Sequence, residues 1–90
     1  MKKTSYKKIL EAITEINPKA LKADGFDAAI IGIGRVHGSP EVLVYDSDKC
    51  VDILMKRDNM TNEEAWEFFD YNVCNAYMGE GTPMFMISGI

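Results

Sequence analysis

Ninety residues, 14 acidic and 10 basic, 47% hydrophobic and 27% charged, suit one small globular domain spanning residues 1–90 and leave no room for a second. The apolar fraction excludes a disordered chain, and seven glycines and three prolines exclude collagen-like and low-complexity ones. Residues 1–40 carry seven basic and four acidic side chains (net +3) and residues 41–90 three basic and ten acidic (net −7), which disfavours nucleic acid as a partner.

The first predicted element is a helix over residues 5–16. Tyr6, Ile9, Leu10, Ile13 and Ile16 fall on one stripe, with Lys7, Lys8, Glu11 and Glu15 opposite. Asn17-Pro18 ends it, because a residue before proline is pushed out of helical geometry. After the turn signal Asp24-Gly25, residues 28–36 read as a strand. His37-Gly38-Ser39-Pro40 reads as a hairpin connection, and residues 41–45 as its antiparallel partner. Gly32 and Gly34 leave one face of the first strand flat, open to close approach by a helix or another chain.

A second helix is expected from about residue 48 to 57, acidic at its start and ending in Lys56-Arg57, as the helix dipole favours. Thr61-Asn62-Glu63-Glu64 is a capping box opening a third helix to about residue 77. This helix should turn Ala65, Trp66, Phe68, Phe69, Val73 and Ala76 inward and Glu63, Glu67 and Asp70 outward. Glycine at 79 and 81 and Pro83 stop it, and residues 84–87 form a last strand that could pair with either edge of the hairpin. The expected fold is α+β, a three-stranded sheet (hairpin plus C-terminal strand) packed with about three helices in the order αββααβ.

Motifs for chemistry are weak. Asp46-Ser47-Asp48 has the spacing of a phosphoryl-transfer D-x-D pair, but the further acidic and basic residues such enzymes need are missing, so capping is the preferred reading. The glycines from 32 to 38 do not open a helix, as a phosphate loop requires. One histidine and the separated Cys50 and Cys74 supply no zinc site, so no metal, cofactor or catalytic residue is expected. Lys-rich residues 1–8 lack the apolar run of a signal peptide, and no stretch is long enough to span a membrane; a cytoplasmic protein with reduced thiols is expected.

Two functional readings follow. In the first, the acidic stripe Glu63, Glu67 and Asp70, with Trp66 as anchor, binds another protein. Surplus apolar surface on the last strand and an open sheet edge add a homodimer. In the second, Arg35, Asp46, Asn72, Glu80 and Thr82 converge on a small ligand or nucleotide, with weak hydrolysis conceivable. Asn72 draws notice because it falls inside the apolar stripe, where an amide needs partners.

Four ordered blocks add a resemblance: Lys22-Ala23-Asp24-Gly25-Phe26-Asp27-Ala28-Ala29-Ile30-Ile31-Gly32-Ile33-Gly34; Val44-Tyr45-Asp46 with Lys49-Cys50; Asn59-Met60-Thr61-Asn62-Glu63-Glu64-Ala65; and Gly79-Glu80-Gly81-Thr82-Pro83. Together they resemble a family of small proteins encoded by bacteriophages and prophages. The resemblance implies a viral or prophage accessory protein in a bacterial cytoplasm; the partner in the first reading is a host or phage protein. The resemblance carries no catalytic residues over.

Overall fold

The computed structural model describes residues 5–74 and 79–87. Its elements are α1 (Ser5–Ile16), β1 (Ile30–Gly34), β2 (Val42–Asp46), α2 (Ser47–Arg57), α3 (Asn62–Phe69) and β3 (Met84–Met86). A 3-10 turn, Asp27–Ala29, precedes β1, and a π-helical turn, Asp70–Cys74, extends α3. The fold is α+β in the order αββααβ, with one three-stranded sheet ordered β1-β2-β3. The expected end of the third helix, with Ala76 and Tyr77, lies outside the described residues.

β1 and β2 form the antiparallel hairpin, and β3 joins β2 in parallel, so β2 is central. The register pairs Ile30 with Tyr45, Ile33 with Leu43, and Tyr45 with Phe85, which puts these five side chains on one face. Leu43 and Tyr45 are fully buried there, in a cluster completed by Ile13 of α1, Cys50, Val51 and Leu54 of α2, and Ala65 and Phe69 of α3. Gly32, Gly34, Val42, Val44, Met84 and Met86 occupy the opposite face by the same register. A Cβ built on Gly32 would meet nothing within 4 Å, and Met84 and Met86 are exposed, so part of this face is uncovered among the described residues.

Three expectations are corrected. Residues 28 and 29 are not strand: Phe26 N–H donates to the Ala23 carbonyl and Ala29 N–H to the Phe26 carbonyl, and these successive turns bury Phe26 and Ala29 in the core cluster. Ile16, expected on the apolar stripe of α1, is exposed, because the helix ends there: Asn17 Nδ2 donates to the Glu41 carbonyl at 2.7 Å, tying the exit of α1 to the start of β2. Phe68, expected inward, is also exposed.

Candidate interaction face and cleft

α3 begins as its capping box requires. Thr61 N–H donates to Glu64 Oε1 at 2.9 Å and Glu64 N–H donates to Thr61 Oγ1 at 3.2 Å, so two of the helix's orphan donors are satisfied reciprocally. Its inner side is held by aromatic contacts. The Phe69 ring lies 5.2 Å from Phe85, edge to face, and 5.9 Å from Trp66, while Phe85 lies 5.5 Å from Tyr45 in the central strand. Such contacts prefer tilted, offset geometries, so the chain Tyr45–Phe85–Phe69–Trp66 fixes the rotation of α3 over the sheet.

With Ala65 and Phe69 defining the buried line, 100° per residue carries Phe68 outward beside Glu64 and Tyr71. Phe68 is 37% and Tyr71 78% exposed. Together with Met60, Glu64, Glu67 and Asn72 they line a shallow groove. Glu63, Glu67 and Asp70 are exposed, as the acidic stripe requires, and Trp66 is half-buried in the packing between α3 and the core. The outer side of α3 thus combines aromatic surface with carboxylates.

From Asp70 the π-helical turn changes the helical register. A π turn inserts an extra residue into a helix and is frequent at functional sites. Here it leaves Asn72 exposed, not inside the apolar stripe, and sets Asn72 and Val73 at the mouth of a cleft of about 220 Å³. Phe26, Val73, Pro83 and Phe85 form its apolar walls; Lys22, Asp24, Asn72 and Thr82 supply its polar atoms. Asn72 borders both the groove and the cleft.

The loop opposite is held from several sides. Ala23 N–H donates to Tyr45 Oη at 2.9 Å, Leu21 N–H donates to the Gly81 carbonyl at 3.0 Å, and Thr82 Oγ1 donates to the Gly79 carbonyl at 2.7 Å. A Cβ on Gly81 would lie 2.7 Å from the Lys19 carbonyl oxygen, so the two loops meet too closely for any side chain there. Lys22 Nζ pairs with Asp27 Oδ2 at 3.2 Å, while Asp27 Oδ1 is buried with no partner among the described residues. Burial raises the Tyr45 phenol; the hydrogen bond from Ala23 opposes this, and the charges of Asp27, Cys50 and Asp24 add to it.

Of the five residues expected to hold a small ligand, Asn72 and Thr82 share the cleft. Glu80 and Thr82 border a second hollow with Ser39, Val42 and Met84. Arg35 and Asp46 border neither. Arg35 Nε pairs with Glu41 Oε2 at 3.0 Å across the base of the hairpin. Asp46 caps α2, with Oδ1 accepting from Asp48 N–H at 3.0 Å and Lys49 N–H at 3.4 Å, and α2 accordingly begins at Ser47, one residue earlier than expected. Among the described residues no three of His, Cys, Asp and Glu stand close enough to hold a metal ion, and no helix is long and apolar enough to cross a membrane.

Cys74 is exposed beside the second hollow. Cys50 is fully buried; burial first, then the Asp46 and Cys74 charges, push its thiol up to about 12. The signal that sequence reasoning missed is Phe68-x-x-Tyr71: two aromatics at helical spacing, on the side of Glu64 and Glu67.

The fold and this face define a small α+β protein with helices over one side of a mixed sheet and an acidic, aromatic helix turned outward. No protein-family model, curated protein or solved structure matches the chain.

Proposed function

We propose that this is a non-catalytic protein that acts by docking the outer side of α3 on a basic surface of another protein. The observation that carries the reading is Phe68 and Tyr71, exposed in one groove with Glu64 and Glu67 at its border. Aromatic side chains supply contact area at little entropic cost, and surrounding charge selects and steers a partner of opposite sign. In the setting implied by the resemblance to phage- and prophage-encoded proteins, that partner is a host or phage protein in a bacterial cytoplasm. The test is affinity capture from native cells with the wild-type chain and with the triple variant Glu63→Lys, Glu67→Lys, Asp70→Lys. A protein retained by the first and lost by the second supports the reading; equal retention, or none by either chain, sinks it.

A homodimer is part of the same proposal. On the partly uncovered sheet face, Met84 and Met86 stand as an exposed ridge across Val44 from the open position at Gly32. Apart from Asp46, engaged in capping α2, the strand residues of that face are uncharged. A two-fold rotation lays the ridge of one copy over the glycine of the other, and an isologous contact requires such self-complementarity.

A further inference from the structure

Resting on that docking reading, we infer that the partner engages α3 through an extended peptide segment. The segment sets a Lys or Arg against Glu64 and Glu67 and buries one apolar side chain in the cleft between Phe26, Val73, Pro83 and Phe85. Three observations converge on this. Asn72 borders both the groove and the cleft, so a chain lying along one reaches the other. The cleft, at about 220 Å³, lies below the roughly 300–1,000 Å³ of sites that enclose a whole small-molecule ligand. Such a space suits a single large side chain. Phe26, Val73, Pro83 and Phe85 give the cleft an apolar side beside the polar Lys22, Asp24, Asn72 and Thr82, while the groove beyond Asn72 carries the carboxylates, so a ligand that is apolar at one end and cationic at the other matches both.

The spacing follows from the helix. Val73 is six residues beyond Glu67 and nine beyond Glu64. At the α-helical rise of ~1.5 Å per residue, which holds to Phe69, these are at most about 9 and 13.5 Å along the axis. An extended peptide advances about 3.3–3.6 Å per residue, so the basic residue and the apolar anchor stand roughly three or four positions apart. The π turn at 70–74 is the device that brings Val73 and Asn72 to the cleft mouth at the end of an otherwise regular helix.

The experiment selects a displayed library of random 12-residue peptides on the full chain, then titrates the synthetic consensus peptide by fluorescence anisotropy. The expected consensus is a basic residue three or four positions from Leu, Met or Phe. Replacing that anchor by alanine, or Val73→Asp in a protein whose melting remains cooperative, weakens binding at least about tenfold. The Lys triple variant at 63, 67 and 70 does the same. Binding that depends on the carboxylates but is indifferent to both the anchor and Val73 overturns the cleft and leaves the docking face standing. Binding indifferent to all three overturns both. No enriched sequence overturns the linear-segment inference, with the docking face still judged by affinity capture. Because the alanine change is made in the peptide, its result is independent of how the protein tolerates Val73→Asp.

Discussion

Raising the pH should destabilise this protein through two buried groups whose pKa values are raised, Tyr45 and Cys50, and substitution isolates the contribution of the Cys50 Sγ. In the folded chain the thiol is buried and its pKa is pushed up to about 12, against an ordinary value of 9.0. Below pH 9 the thiol is neutral in both folded and unfolded chains and contributes no pH dependence. Above pH 9 the unfolded chain releases the proton and the folded one retains it, so stability falls until the pH passes the folded value. Each pKa unit is worth about 1.36 kcal/mol, which gives a loss of about 1.4 kcal/mol at pH 10 and about 2.7 kcal/mol at pH 11. The assay is urea denaturation under reducing conditions, followed by fluorescence of the single Trp66, on wild type and Cys50→Ala. Groups that do not interact with Cys50 cancel between the two proteins; Tyr45, which the Cys50 charge helps to raise, cancels only in part. Wild type should lead at pH 8, by about 1–2 kcal/mol for the lost packing, and its lead should shrink by about 1.4 kcal/mol at pH 10. A lead that stays constant from pH 8 to 10 would show that solvent reaches Cys50 in the folded protein, and the packing of α2 on the sheet described above would be wrong.

Other substitutions separate close packing from open surface. Gly81→Ala forces a Cβ against the Lys19 carbonyl and should cost about 1–3 kcal/mol in chemical denaturation, whereas Gly32→Ala, facing open space within the protomer, should stay within about 0.5 kcal/mol at concentrations too low for dimerisation. Asp46→Ala removes the α2 cap and should cost about 1 kcal/mol, while Asp46→Asn should retain most of the stability; a large loss for Asn would point to a role for the charge itself. Met86→Glu should convert a dimer to a monomer by sedimentation velocity without changing far-ultraviolet circular dichroism, and a wild-type chain monomeric at tens of micromolar would dispose of the dimer.

How much of this was legible in the residues varies with the range of the interaction. α1 is bounded by its own stripe and by Asn17-Pro18, and α3 opens on a capping box, all local signals that the structure reproduces at Ser5–Ile16 and Thr61–Glu64. The hairpin strands are likewise local. Which edge of the hairpin receives β3 is not, because a three-residue strand of Met84, Phe85 and Met86 carries no partner preference; the stacking of Phe85 between Tyr45 and Phe69 sets it beside β2. The same tertiary contacts rotate α3 so that Ala65 and Phe69 point inward and Phe68 outward, a choice that a broad apolar arc leaves open. Regular helical spacing puts Asn72 inside the apolar stripe, which the structure contradicts: the π turn at Asp70–Cys74 leaves it exposed, and that turn leaves no mark in residue type. Of the proposed sites, the carboxylates were visible in advance; the aromatic pair beside them and the cleft were not.

The central claim, that the outer side of α3 is where this protein meets its partner, is tested most directly by photo-crosslinking in native cells. Tyr71, at 78% exposure, is replaced by p-benzoylphenylalanine, and the exposed Lys8 of α1 serves as the comparison position. A discrete crosslinked protein at position 71, absent at position 8 and lost on adding the lysine substitutions at 63, 67 and 70, is the predicted result. A crosslink at position 8 with none at position 71 contradicts the account.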